Sequence, residues 1–226
     1  MPLLWTISRR PDNLALRAAT PAQASTLLAL AVAALICSGI APHSRVDWLV
    51  ENTLPAGLLL GLAAVWRHLR LSCVAYLAIL LMIGVHELGA HFTYAEVPYE
   101  KWIHDLTGHS LSSLMGWQRN QFDRLVHLSY GVLFFIPFRE VLYRQTTLRG
   151  GWLALMAVSL ILATSALYEL IEWVGGQYLG DDQAEAFLAT QEDPWDAQKD
   201  MALALLGALI SLMVIEGRLF FRVAHE

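Results

Sequence analysis

Cysteine is scarce in this sequence, with two in 226 residues, Cys37 and Cys73, both in apolar runs. That count excludes a disulfide scaffold, and no Cys/His spacing suits a zinc finger. Charge is scarce as well: Asp, Glu, Lys and Arg make up 15% of the chain, against about 25% in soluble domains. The net charge of −5 with no basic cluster excludes a nucleic-acid partner. Internal repeats and low-complexity tracts are missing too. What the chain has instead is hydrophobic residues, 56% of the total, and a mean hydropathy of +0.47. A 25.2 kDa globule cannot bury that surplus. A soluble enzyme is excluded, and the lipid bilayer is the expected partner.

A helix needs about 20 mostly apolar residues to cross a roughly 30 Å hydrocarbon core. Six stretches qualify: one near 22–41, then Trp48–Trp66, Leu71–Phe92, Arg124–Val141, Gly151–Trp173 and Lys199–Ile215. The first is longer than the roughly 7–15 residues of a signal-peptide core, so it reads as a retained membrane helix. Pro137 interrupts the fourth. The predicted fold class is all-α, a polytopic bundle of six transmembrane helices.

Ten of the 15 Lys and Arg residues fall on one side of these spans and five on the other. The positive-inside rule then predicts that both termini are cytoplasmic. The expected organisation is a cytoplasmic segment over 1–21, a membrane domain over 22–217 with outer loops 93–123 and 174–196, and a cytoplasmic tail over 218–226. Within the first outer loop, Tyr99–Leu106 reads as a short helix lying in the headgroup region.

The stretches free of ionisable groups are short. Leu71–Val85 and Met201–Ile215 have 15 residues each and Leu128–Phe138 has 11. At 1.5 Å per residue these span roughly 16–23 Å, less than the hydrocarbon thickness. The outer ionisable residues are therefore carried into the last turns of the membrane. They are costly there unless they face a bundle interior. Glu87 and His91 are four apart on one helix face, as are Asp123 and His127, with Tyr130 on the same stripe. Glu169 and Glu172 are three apart beside Tyr168, and Asp193, Asp196 and Asp200 recur at three and four. Carboxylates and imidazoles converging from several helices are how bundles bind divalent metals.

Simpler readings exist for some of these residues. Asp193 before Pro194 has the form of an N-cap, and Asp196 then sits where an acid favours the helix dipole. Neither role explains Asp200, which lies deeper. His86 points about 140° away from His91 on a helix, so the two do not serve one ion. The run from His86 to His91 lacks the i, i+4 histidines of a zinc protease, because position 90 is Ala. Asp123 with Arg119 or Arg124 has the makings of a structural ion pair. Glu140 with Arg144 reads as a structural pair on the cytoplasmic side.

Four motifs carry a family resemblance. They are His91–Pro98, Arg119–Arg124 followed by His127, Tyr168–Trp173, and Phe187–Met201. In that order they resemble the YjdF-like family of bacterial multi-pass inner-membrane proteins, a domain of unknown function. The resemblance covers about residues 25–215 and implies an inner-membrane location and a multi-pass topology, but no activity. The chain departs from the family pattern in extra residues between Leu106 and Arg119, and in Glu192 where a Gly is expected.

The sequence supports a divalent-metal site at the outer end of the bundle, built from Glu87, His91, Asp123, His127, Glu169, Glu172, Asp196 and Asp200. Imidazole with carboxylate and no thiolate suits Zn, Mn or Fe, and such a site is compatible with a metal-dependent membrane enzyme. The competing readings are a proton- or cation-coupled transporter, and a scaffold in which polar clusters fix helix order. Mutual satisfaction of costly polar groups predicts that Glu87, Glu169, Asp200 and His91 or His127 line one cavity.

Overall fold

The computed structural model describes residues 17–179, 191 and 193–223, with side chains described through residue 178, at 191 and over 193–215. The N-terminal segment before residue 17, most of the stretch 180–192 expected to form a loop, with Asp181, Asp182, Glu185 and Glu192, and the side chains of the C-terminal tail lie outside the described residues.

Helix α1 (Pro21–Ser38) opens on a capping box: Thr20 Oγ1 accepts from the Gln23 N–H, and the Gln23 side chain accepts from the Thr20 N–H. The second span is a bent pair, α2 (Arg45–Glu51) and α3 (Thr53–Leu69), which meet at Asn52 with a 40° bend. Helix α4 (Cys73–Phe92) is capped by Ser72. The connection between α4 and α7 folds into a 3₁₀ turn at Tyr94–Glu96 and two short helices, α5 (Tyr99–Thr107) and α6 (Leu111–Met115). Leu106, Leu114 and Met115 stay exposed on these helices, as expected of elements lying in an interface. Helices α7 (Phe122–Gln145), α8 (Gly150–Leu179) and α9 (Asp196–Val223) complete the bundle. Helix α7 continues through Pro137, which costs one hydrogen bond without ending it.

Five of these helices are each long and apolar enough to cross a membrane, and the bent α2–α3 pair makes a sixth. The bend was not visible in the apolar run Trp48–Trp66, because Asn52 there looks like one polar residue near a helix end. Leu60, Ile36 and Met213 are 73, 61 and 64% exposed, which in a bilayer is lipid contact rather than a cost.

Helix α7 is central. It packs against α4, α8 and α9, and α4 in turn carries α1. The closest crossing is α7 on α9, at Gly131 and Gly207. A Cβ on Gly131 would stand 2.0 Å from the Ala204 carbonyl oxygen, and one on Gly207 would stand 2.3 Å from that of Leu128. Ser211 Oγ donates to the Val132 carbonyl across the same crossing at 2.5 Å. Small residues and an interhelical hydrogen bond are what hold helices together where lipid removes the hydrophobic drive.

A buried polar lock closes the opposite end. Glu140 accepts from the Ser72 N–H at 2.8 Å, from Ser72 Oγ at 2.7 Å and from Arg144 Nε at 2.7 Å. It therefore fixes the start of α4 to α7, consistent with a structural role.

Candidate metal centre

Because α7 begins at Phe122, Asp123 falls in its first turn and His127 one turn deeper on the same face. Helix α9 begins at Asp196, which puts Asp200 one turn inside the bundle. The α7–α9 crossing brings these turns together. One ligand atom from each of Asp123, His127 and Asp200 lies within 4.8 Å of the other two, and all three residues are buried. Helix α8 contributes Glu169. His127 Nε2 stands 3.6 Å from Asp123 Oδ1 and 3.5 Å from Glu169 Oε1. Asp200 is 1% exposed, and its Oδ1, like Glu169 Oε1, has no hydrogen-bond partner.

Those distances are informative. An N–H···O hydrogen bond lies near 2.7–3.2 Å, so 3.5 and 3.6 Å are long for one. Two ligands of a tetrahedral ion, each about 2.0–2.2 Å from the metal, stand about 3.4 Å apart. The buried Asp123, His127 and Asp200 thus form a cluster that could hold an ion, with Glu169 beside it.

The other candidate residues are placed differently. Asp196 is engaged by Arg119 and, at 3.5 Å, by Arg124. Asp193 takes Arg124 at 2.5 Å and Lys199 at 2.6 Å, and it accepts the Trp195 N–H at 3.1 Å as a cap. Hydrogen bonding from Lys199 first, then from the Trp195 N–H and Arg124, lowers the Asp193 carboxyl to about 2. Two guanidiniums thus clamp the start of α9 over the cluster. Glu172 lies beside Glu169, half-buried.

Glu87 and His91 face α1 and α2 instead. Ser38 Oγ meets Glu87 Oε2 at 2.5 Å, Trp48 Nε1 donates to Ser38 Oγ at 2.9 Å, and His91 Nδ1 bonds the Ser38 carbonyl at 2.8 Å. His86 is turned the other way and pairs with the Tyr94 hydroxyl.

Glu51 was not singled out from the sequence as a site residue. It is buried, accepts from the Tyr168 hydroxyl at 2.9 Å, and lies close enough to both Asp123 and Glu87 to feel their charges. The available signal was a single carboxylate within an apolar span. Its partner Tyr168 is 117 residues away, which no local spacing reveals.

A cavity of about 310 Å³ lies next to this polar layer. Its wall includes His86, Tyr94, His127 and Tyr168 at one end, but none of Glu87, His91, Glu169 or Asp200. Those carboxylates do not line this cavity, and of the candidate ligands His127 borders it. Its ring meets that of Tyr168 edge-on, with centroids 5.9 Å apart.

The fold and this buried layer define a multi-pass helical membrane protein with polar chemistry gathered at one end of the bundle. The chain belongs to the family described as "Predicted membrane protein (DUF2238)", whose model matches residues 24–219. It is similar to "Inner membrane protein YjdF" of Escherichia coli (strain K12), with 36% identity over 182 residues covering 80% of this chain and 83% of that protein. No solved structure matches. The chain is an integral, multi-pass protein of the inner membrane.

Proposed function

We propose that this membrane protein binds a divalent cation through His127, Asp123, Asp200 and Glu169. The observation that carries the reading is the set of buried ligand atoms from α7 and α9 within 4.8 Å of one another, together with the unpartnered Asp200 Oδ1. An acid in that position is costly unless a cation compensates it. Arg119 and Arg124 form their ion pairs with Asp193 and Asp196, at the start of α9 above Asp200. In this reading Asp196 and Glu172 support the ligands from outside, and Glu87 and His91 belong to the neighbouring group around Ser38.

One imidazole with three carboxylates favours Mn²⁺ or Fe²⁺, with Zn²⁺ also compatible. With both termini cytoplasmic, as the Lys and Arg distribution implies, the site faces the periplasm. A metal held there would supply Lewis acidity and an activated water for hydrolysis of a substrate reaching that surface. Passage through the bundle is less well supported. From His127 to Arg139 along α7 is about 18 Å, and the inward wall over that distance includes Phe134, Phe135 and Ile161.

Metal analysis of purified protein tests the proposal. Samples loaded with Mn²⁺, Fe²⁺ or Zn²⁺ and then desalted are expected to retain about one ion per chain, and Asp200→Asn to lose it while keeping its helical circular dichroism. Background metal in every loaded wild-type sample would overturn the reading.

A further inference from the structure

The cavity beside His127 lies between α3, α4, α7 and α8, and its wall is mostly apolar, with His86, Tyr94, His127 and Tyr168 gathered at one end. Leu54 and Leu58 of α3 and Leu167 and Ile171 of α8 form two of its walls, and all four are exposed on the bundle surface. Because α3 and α8 are not closely packed on each other among the described residues, the gap between them opens sideways toward lipid. Along α7 the wall runs from His127 to Phe138. Those 11 steps cover about 16 Å, half of a roughly 30 Å hydrocarbon core and so the depth of one leaflet. The volume is at the lower end of the roughly 300–1,000 Å³ typical of ligand sites.

Ser165 lines the cavity, is 2% exposed, and its Oγ has no hydrogen-bond partner. The deeper wall is Met82, Phe134 and Phe138, a lining suited to hydrocarbon.

We propose that this cavity holds one acyl chain of a membrane phospholipid, which enters between α3 and α8 with its polar end at the His127–Tyr168 side. The occupant follows from the surroundings. In a bilayer the material against Leu58 and Leu167 is acyl chain, and a one-leaflet slot with its polar groups at the membrane surface matches an amphiphile's own polarity. The inference stands without the metal reading, because chain binding and metal content are read separately. If both hold, His127 is where the lipid's polar end meets the ion.

Photolabelling in phosphatidylethanolamine–phosphatidylglycerol vesicles tests it, with a trace of phosphatidylethanolamine carrying a diazirine at the end of one acyl chain. Labelled peptides are expected to concentrate on the inward faces of α4 and α7 near Met82 and Phe134. Filling the cavity with Ser165→Phe should cut that labelling about tenfold, whereas Leu155→Phe on the lipid-facing surface leaves it unchanged. Leu58→Trp at the mouth is the second variant, should Ser165→Phe fail to fold. Metal retention is measured in the same samples, so loss of lipid labelling is distinguished from loss of metal. Labelling spread evenly over exposed helix faces, or unaffected by either cavity variant, would overturn the proposal.

Discussion

Asp200 and Asp193 show how two acids seven residues apart come to have opposite roles. Asp193 sits among Arg124, Lys199 and an N–H donor, so its charge is compensated. Asp200 is buried with a bare oxygen beside Asp123 and His127, with Glu169 near enough to feel its charge. Asp200→Asn removes one charge from that group and has a predictable sign. In chelator-treated protein it should raise the melting temperature by relieving repulsion, and in metal-loaded protein it should lower it by deleting a ligand. A thermal shift of the same sign in both conditions would contradict this account. Asp193 gives a pH test. Its carboxyl titrates at about 2 in the folded protein, against about 3.9 in an unfolded chain. The stabilisation is full above about pH 4 and is lost as pH falls through about 2. The melting deficit of Asp193→Asn relative to wild type should therefore be larger at about pH 6 than at about pH 3. A deficit independent of pH would remove the ion-pair explanation.

Among the elements, the α7–α9 pair carries the site, and its closeness depends on two glycines. Gly131→Ala or Gly207→Ala places a methyl against backbone rather than against a side chain that can turn away. Such overpacking costs about 1–3 kcal/mol. Either variant should be less stable in a detergent melt and should bind metal more weakly, because Asp123 and His127 move relative to Asp200. Wild-type stability in both would show that the helices do not cross this tightly. Local pattern made much of this element level legible. The i, i+4 spacing of Asp123 and His127 placed the two on one helix face, where the structure has them 3.6 Å apart, and the cap expected at Asp193 is present. Other features depend on contacts far apart in sequence. The pairing of Asp196 with Arg119 spans 77 residues, and that of Ser38 with Glu87 spans 49. Sequence spacing alone therefore could not separate Glu87 and His91 from the α7–α9 group. At the bend beside Asn52 the same holds for Glu51, whose partner Tyr168 is 117 residues away.

For the whole molecule, hydropathy and length sufficed to read the spans, because a bilayer imposes both on every helix that crosses it. The orientation rests on the Lys and Arg distribution. A C-terminal fluorescent-protein fusion is expected to fluoresce and a C-terminal alkaline phosphatase fusion to be inactive, since the first matures in the cytoplasm and the second in the periplasm. The reverse pattern would turn the proposed site toward the cytoplasm. The cavity and the acidic layer share that end of the bundle, and His127 belongs to both.

The most direct test of the central claim is an experimental structure of protein loaded with Mn²⁺, Fe²⁺ or Zn²⁺, measured at the absorption edge of that metal. The account predicts an anomalous peak about 2.0–2.2 Å from His127 Nε2 and from carboxylate oxygens of Asp123 and Asp200, with Glu169 completing or closing the shell. The same four side chains contacting only one another or water, with no anomalous peak between them in metal-loaded protein, would contradict it.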